Sequence, residues 1–185
     1  QFNSLKEIII GQKISRILSI FSFPNLDKNN FRMEPNIGGG SINDLGAYVF
    51  GLGRFVWGRE PMEIEVFATN SSDKVIHSFS VLFDYGDSCR LIGHFGFDTC
   101  YLNKVLIFGD NKAIEFDRAF TTTNTLENII NITENGRVYE FKVEASDPFE
   151  SFFSAIFTNT LNFEKEVNSL LNNVKGIEML QKKLN

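Results

Sequence analysis

The side chains of this chain that are best suited to chemistry lie in residues 31–48. A run of three glycines, Gly38 to Gly40, precedes a segment that carries Asp44 and Tyr48. If this segment is a helix, the spacing of four residues places the carboxylate and the phenol on one face. Two such groups can hydrogen-bond a sugar-like substrate and exchange a proton with it. The free N–H groups at the start of such a helix suit an anion or a polarised oxygen.

Each of these features also has a purely structural interpretation. Ser41 and Asp44 fit the S-x-x-[DE] capping pattern, in which the carboxylate bonds only the backbone at the start of the helix. Tyr48 can equally be a core aromatic residue with a satisfied hydroxyl. The glycine run is not a phosphate loop, since it lacks both G-x-x-x-x-G-K-[ST] and a strand-borne G-x-G-x-x-G.

A helix over residues 42–56 has to position Asp44 and Tyr48. Apolar residues recur there about every 3.6 positions, namely Ile42, Leu45, Val49, Leu52 and Val56. Gly58 and Pro61 end this helix. Three glycines inside it, Gly46, Gly51 and Gly53, each weaken the helix by about 1 kcal/mol relative to alanine. We therefore expect backbone or ligand to approach this helix closely.

The rest of the chain predicts an α+β fold. Residues 5–10 are predicted to end a helix at Gly11, and residues 13–23 form a strand that stops at Pro24. Alternating residues from 62 to 143, joined by tight turns, predict a large, predominantly antiparallel open sheet of about six to eight strands. Helices are predicted over 147–157 and 163–184, so helices cover one face of the sheet. Phe and Ile on both strand faces predict an oligomer interface on the other.

Composition narrows the class of protein. The chain has 185 residues, 43% of them hydrophobic, and a formal net charge of -5, which favours one domain over 1–185 and disfavours a nucleic-acid partner. The 20 Phe residues predict a partner surface, or reflect the codon bias of an AT-rich genome.

Other side chains add little chemistry. Cys89 and Cys100 are too few for a disulfide scaffold, so we expect two buried thiols and a cytoplasmic protein. No apolar run approaches the ~20 residues of a membrane span. His77 and His94 lie in alternating strand segments without metal-ligand spacing, so neither a metal nor a membrane is expected.

The glycine run and its flanks strongly resemble the C-terminal domain of the Gfo/Idh/MocA (glucose-fructose oxidoreductase, inositol dehydrogenase and rhizopine catabolism) family. The cues occur in order: Leu5-Lys6-Glu7-Ile8-Ile9 before Gly11 and Ile14, Phe21-Ser22-Phe23, then FR-x-x-P, GGGS, D-L-G-x-Y and R-F-x-x-G-x-x-P up to Pro61. The Pro148-Phe149 helix and the last helix also resemble the ending of that family. The resemblance covers nearly the whole chain.

In that family an N-terminal Rossmann domain binds NAD or NADP and carries a Glu-Lys-Pro lysine that assists proton transfer. This chain contains neither feature, so the resemblance implies the substrate-binding and oligomerising half of an enzyme. It further implies that Tyr48 donates or accepts the proton at the reacting sugar carbon and that Asp44 orients substrate or nicotinamide. Arg32, Gly39, Gly40 and Asn43 are implied as substrate-binding residues. A phenol with an ordinary pKa near 10 needs a cationic neighbour to act as a base.

Two functions follow as expectations. One is the C-terminal domain of an NAD(P)-dependent oxidoreductase that acts on a sugar or sugar-nucleotide hydroxyl or ketone, with this chain alone inactive. The other is a non-catalytic module for self-association or for binding a saccharide or protein. A homo-oligomer formed through the sheet face is expected in either case.

Overall fold

The structure is a computed structural model that describes residues 1–70 and 75–184. Its four helices are α1 (Phe2–Ile9), α2 (Ser41–Trp57), α3 (Pro148–Phe157) and α4 (Phe163–Leu184). Its eight strands are β1 (Arg16–Ser22), β2 (Glu63–Asn70), β3 (Ile76–Asp84), β4 (Arg90–Gly96), β5 (Leu102–Phe108), β6 (Lys112–Asp117), β7 (Asn128–Glu134) and β8 (Arg137–Val143). None of the helices in these ranges has both the length and the apolar character needed to cross a bilayer.

All eight strands form one sheet in the order β2-β3-β4-β1-β5-β6-β7-β8. Every neighbouring pair is antiparallel except β1 and β4, which run parallel, with Ile17 beside Leu91 and Phe21 beside Phe95. The predicted α+β class and the mostly antiparallel open sheet are confirmed. The sequence did not predict that β1 lies between two strands that come much later in the chain.

One face of the sheet carries the core. Along β3 the side chains of Phe79, Val81 and Phe83 are buried, whereas Leu82 between them is 42% exposed. This alternation arises because successive side chains of a strand point to opposite faces. Helix α2 covers the buried face near β3 and β4, and α4 packs against both α2 and β2.

Two glycines of α2 are needed because other groups lie close to the helix. A Cβ added at Gly46 would lie 3.1 Å from Cγ1 of Ile177 on α4, and one at Gly53 would overlap the buried Tyr85 hydroxyl. A Cβ at Gly51 meets nothing within 4 Å. The predicted close approach is therefore confirmed at Gly46 and Gly53, while the described residues leave the space beside Gly51 open.

The phenylalanines divide between the core and the surface. Six are almost fully buried, namely Phe50, Phe79, Phe83, Phe95, Phe97 and Phe116. Helix α3 forms where it was predicted, but it buries none of its residues. On the uncovered face of the sheet Leu18, Leu82 and Ile92 are exposed. The described part of the chain thus leaves two apolar surfaces uncovered, an aromatic one on α3 and an aliphatic one on the sheet. The predicted partner surface stays a prediction.

The cysteines and histidines belong to no cluster that could hold a metal ion within residues 1–70 and 75–184. Cys89 is buried as predicted, but the prediction for Cys100 was wrong, because it lies exposed in the turn before β5. His94 Nδ1 lies 2.9 Å from Ser80 Oγ on the neighbouring strand. The ring of His77 packs 5.7 Å from that of Phe97.

Candidate functional site

The segment before α2 folds back against the start of this helix. Arg32 N donates to Asn30 Oδ1 (3.0 Å) in a short 3-10 turn over Phe31–Met33. A second such turn, Pro35–Ile37, follows at once. The backbone N–H of Gly40 then donates to Arg32 O (2.8 Å), and that of Gly39 to Glu34 O (3.0 Å). These bonds fix the position of Arg32 relative to the helix.

Two different constraints explain the three glycines of the run. A Cβ at Gly39 would lie 2.6 Å from Arg32 O and 2.7 Å from Glu34 O, so close packing excludes a side chain there. Gly38 and Gly40 have φ values of +84° and +105°, a backbone conformation that favours glycine. Because their N–H groups bond loop carbonyls, direct contact of Gly39 and Gly40 with a substrate stays a prediction.

The side chain of Asn43 also has partners within the chain. Its Nδ2 donates to Gly38 O (2.9 Å) and Gly39 O (3.2 Å), and its Oδ1 accepts a hydrogen bond from Gln181 Nε2 (2.8 Å) on α4. Asn43 thus links the glycine run, α2 and α4. Its predicted contact with a substrate stays a prediction.

Asp44 makes an ion pair instead of capping the helix. The N-cap residue is Gly40, with no side-chain cap, and Asp44 Oδ2 lies 2.7 Å from Arg32 Nε. The capping interpretation was wrong because α2 begins one residue earlier than the S-x-x-[DE] pattern requires. Ser41 is buried and its hydroxyl has no partner in the described residues.

Tyr48 packs as a core aromatic and also lines a cavity, and its proton transfer to a substrate stays a prediction. Its ring packs edge-on against Phe21 (centroids 5.4 Å apart) and beside Phe120 (5.2 Å). It also lines a cavity of about 270 Å³ whose other walls are Phe2, Ala47, Gly51, Leu52, Phe55 and Phe120. The residue is therefore an aromatic at the edge of the core that faces an apolar cavity.

The charges beside Tyr48 act in opposite directions. Burial raises the pKa of the Tyr48 phenol above its ordinary value, the Asp44 carboxylate raises it further, and the Arg32 guanidinium lowers it. The phenol is thus protonated at neutral pH. In this state it can donate a proton or a hydrogen bond to an oxygen that gains negative charge.

Sequence reasoning missed the aromatic walls of this cavity. Phe120 follows β6, and its backbone N–H donates to Asn103 Oδ1 (3.1 Å) on β5. Phe2 belongs to α1 and packs edge-on against Phe55, with ring centroids 5.1 Å apart. No local motif links these positions, because they meet only when β5 and β6 join β1 in the sheet.

Comparison with known proteins gives a consistent result. The family model described as the GFO/IDH/MocA C-terminal domain matches residues 2–115. A curated relative, dTDP-3,4-didehydro-2,6-dideoxy-alpha-D-glucose 3-reductase from Actinomadura kijaniata, is 22% identical over 161 residues. These residues are 86% of this chain and 48% of the relative. The chain thus spans about half the length of the curated relative that it matches.

Solved structures share the fold. One is the 3-ketoreductase KijD10 from Actinomadura kijaniata in complex with NADP and TDP-benzene. Its structure gives a TM-score of 0.81 at 20% sequence identity, and the match covers 98% of this chain and 57% of KijD10. Another is aldose-aldose oxidoreductase from Caulobacter crescentus complexed with glycerol. It gives a TM-score of 0.76 at 14% sequence identity, and the match covers 100% of this chain and 58% of the oxidoreductase. At these identities the likeness shows the fold alone.

Proposed function

The chain belongs to the GFO/IDH/MocA C-terminal domain family, and on this basis we propose that it is the substrate-binding half of an NAD(P)-dependent oxidoreductase acting on a sugar or sugar nucleotide. The observation that supports this most directly is the grouping of Arg32, Asp44 and Tyr48, of which Tyr48 lines an apolar cavity. An apolar cavity beside a proton donor suits ketone reduction.

Tyr48 is the proposed proton donor. In the reducing direction, a hydride adds to the carbonyl carbon, the electron pair of the C=O bond moves to oxygen, and the Tyr48 hydroxyl supplies the proton. The raised pKa of Tyr48 favours this direction, because it keeps the phenol neutral. The opposite direction needs a phenolate, which a further cation near Tyr48 would stabilise.

Asp44 and Arg32 have supporting roles in this proposal. Asp44 Oδ2 forms an ion pair with Arg32, and the other carboxylate oxygen can accept a hydrogen bond from a substrate hydroxyl. Arg32 holds the carboxylate in place and offsets its charge beside Tyr48. The exposed fractions of the two side chains, 31% and 20%, leave them within reach of a ligand.

This chain has a place for only one part of the proposed NAD(P) cofactor, the nicotinamide ring. The cavity beside Tyr48 has flat aromatic walls and an open side at Gly51, which fits a planar nicotinamide ring. The chain carries no strand-borne G-x-G-x-x-G for a dinucleotide pyrophosphate. A bound NAD(P)H would supply the hydride, and Tyr48, Phe55 and Phe120 would line the space around its ring.

We also propose that the uncovered sheet face joins copies of this chain. Leu18, Leu82 and Ile92 are neighbours on β1, β3 and β4, because Leu18 pairs with Ile92 and Leu82 pairs with Ile92. Exposed apolar residues at the centre of a sheet favour packing against a second sheet. The non-catalytic alternative rests on this same face, as a module for self-association or for binding a saccharide or protein.

We further propose a cytoplasmic location, since neither of the two cysteines is in a disulfide.

An activity assay separates the two functions. An intact protein that contains this chain should oxidise NAD(P)H in the presence of a keto-sugar or keto-sugar nucleotide, followed by nicotinamide absorbance. The 185-residue chain alone should show no turnover and no tight NAD binding by calorimetry. Absence of turnover by the intact protein over a panel of both substrate types favours the non-catalytic module.

A further inference from the structure

An asparagine occupies a core position of β5. Asn103 is 2% exposed and lies opposite Phe21 of β1 in the antiparallel register, so the two side chains share the covered face of the sheet. The other buried positions of this strand are the apolar residues Val105 and Ile107. A buried amide costs free energy unless its donor and acceptor groups are hydrogen-bonded. The bonding partners of Asn103 therefore indicate its role.

The polar groups of Asn103 bond the segment 118–121, which follows β6. Its side-chain Oδ1 accepts from the backbone N–H of Phe120 (3.1 Å), and its Nδ2 donates to Thr121 Oγ1 (2.9 Å). Its backbone carbonyl accepts from the N–H of Arg118 (2.6 Å). A leucine side chain has a similar volume but supplies neither a donor nor an acceptor. Asn103 thus holds Phe120 itself and residues on both sides of it.

Side-chain amides take the place of sheet bonds in this segment. The strand β6 ends at Asp117, and Arg118 has a φ of +53°, so the chain leaves the sheet there. Asn128 Nδ2 donates to Asp117 O (2.7 Å). Gln1 Nε2 donates to Arg118 O (2.9 Å) and to Ala119 O (2.6 Å). The position of the segment relative to the sheet is therefore set by hydrogen bonds from side chains.

The ring of Phe120 borders the proposed proton donor. Its centroid lies 5.2 Å from that of Tyr48 and 5.6 Å from that of Phe21, on which it stacks. It also forms a wall of the cavity that Tyr48 lines. Burial is the main cause of the raised pKa of the Tyr48 phenol, so an outward movement of the Phe120 ring would admit water to the phenol. The surroundings of Tyr48 thus depend on where Phe120 is held.

We propose that Asn103 is a positioning residue, which holds the Phe120 ring against Tyr48 and thereby sets the width of the cavity beside the proposed proton donor. This inference rests on the proposed function and adds to it a residue that acts from the sheet, through another side chain. Because Asn103 acts through Phe120, substitutions at the two positions should be non-additive.

A double-mutant cycle on the 185-residue chain tests the proposal without any turnover. Asn103→Leu removes both side-chain bonds and should lower the pKa of Tyr48 towards its ordinary value, as should Phe120→Ala. In the Phe120→Ala background, Asn103→Leu should add no further shift, because the ring through which it acts is gone. The matched control is Asn131→Leu, at a half-buried asparagine of β7 on the other face of the sheet, which should leave this pKa unchanged. Ultraviolet titration with Tyr48→Phe as the reference measures each shift.

Kinetics of an intact protein that contains this chain give a second measurement. Asn103→Leu should lower kcat/KM by up to about 10²-fold, the cost of a small displacement beside the reacting atoms. The same substitution should cost little more once Phe120→Ala is present. Thr121→Val removes only the exposed hydroxyl that Asn103 Nδ2 bonds. It should change the pKa of Tyr48 and kcat/KM in the same directions by smaller amounts.

Two results would overturn the inference. One is an unchanged pKa of Tyr48 in folded Asn103→Leu, or in Thr121→Val where Asn103→Leu does not fold, which would make the amide a structural residue only. The other is a pair of pKa shifts that add in the double variant, since Asn103 would then reach Tyr48 by another route. Absence of turnover by the intact parent protein would instead remove the proposed function, while coupled pKa shifts would still assign Asn103 to the placement of Phe120.

Discussion

Asp44 Oδ2 lies 2.7 Å from Arg32 Nε, and this contact joins a loop residue to the helix that carries Tyr48. Asp44 and Tyr48 are one helical turn apart on α2, so the carboxylate and the phenol share a face. The guanidinium is thereby held close enough to lower the pKa of Tyr48, against the effects of burial and of Asp44. The Tyr48 phenol, its acidic neighbour and the compensating cation thus form one group.

Replacing Tyr48, the proposed proton donor, tests its role directly. In an intact protein that contains this chain, Tyr48→Phe should lower kcat about 10²–10⁴-fold, the usual contribution of a positioned acid, and leave the Kd for NADP unchanged. The ring contacts to Phe21 and Phe120 persist, so folding should be retained. Tyr139→Phe, at a 49% exposed tyrosine on β8, is the matched control. An unchanged kcat in Tyr48→Phe would exclude Tyr48 as the donor.

Removal of either charge beside Tyr48 should shift the pKa of its phenol, in opposite directions for the two charges. Asp44→Asn removes a negative charge and should lower the pKa of Tyr48, whereas Arg32→Gln removes a positive charge and should raise it. Ultraviolet titration of tyrosinate, with Tyr48→Phe as the reference that isolates the Tyr48 signal, measures both shifts. Shifts of the same sign in the two variants would contradict the charge arrangement.

A substitution at Gly51 should raise the stability of the chain and weaken its function. The methyl group of an alanine there meets no atom of the described residues within 4 Å, so Gly51→Ala should stabilise the chain by about 0.5–1 kcal/mol through helix propensity. Its methyl group would enter the cavity beside Tyr48 and should raise KM for substrate or cofactor. Gly46→Ala is the contrast, because its methyl group meets Ile177 at 3.1 Å and should not give the same gain. Urea unfolding and steady-state kinetics measure the two effects.

Tyr85 should make the protein sensitive to alkali. Burial raises the pKa of this fully buried phenol, Glu60 raises it further, and Arg54 lowers it. The folded pKa therefore exceeds the ordinary value near 10, and the folded state keeps the proton that the unfolded chain loses. The free energy of unfolding should be unaffected by this group below pH 10 and fall above it, by up to about 1.4 kcal/mol per pH unit.

The variant Tyr85→Phe checks this assignment. Its free energy of unfolding should fall less steeply above pH 10 than that of the parent chain. At neutral pH the variant should be no less stable, because the Tyr85 hydroxyl is buried without a hydrogen-bond partner in the described residues. Urea unfolding at a series of pH values measures both effects, and an alkaline slope equal to that of the parent would contradict the role of Tyr85.

The open face of the sheet should control the oligomeric state. Ile92 is 51% exposed at the centre of this face, so Ile92→Lys would place a charge in a packed apolar interface and should convert a dimer or larger oligomer to monomer. Ile37→Lys, at a 68% exposed isoleucine before the glycine run, should leave assembly unchanged. Light scattering at micromolar concentration measures both, and a monomeric parent chain would rule out the interface.

Local patterns predicted the elements better than the contacts between them. The period of apolar residues predicted α2 and placed Asp44 and Tyr48 on one face, because both are properties of a single helix. The pairing of Arg32 with Asp44 depends on two 3-10 turns and on the bond from Gly40 N to Arg32 O. The period of apolar residues does not predict where the chain folds back on itself, so the sequence left the capping alternative open.

The walls of the cavity show the same limit. Phe2 and Phe120 reach Tyr48 from α1 and from the residues after β6, and their meeting depends on the order of strands in the sheet. Alternation along a strand predicts which residues face the core, but it does not predict which strand lies beside which. The aromatic excess was therefore visible in the sequence, whereas its division between the cavity, the core and α3 was not.

The position of β1 between β4 and β5 also constrains how the chain folds. The segments β2-β3-β4 and β5-β6-β7-β8 are each built from strands adjacent in sequence, and β1 bonds one to the other. Pairing Ile17 with Leu91 and Ile107 requires the closure of loops of more than seventy residues. Such non-local contacts slow folding, so the two meanders should form first and the docking of β1 should complete the sheet. The Tyr48 cavity, which takes its walls from α1, from α2 and from the residues after β6, would then be among the last features to appear.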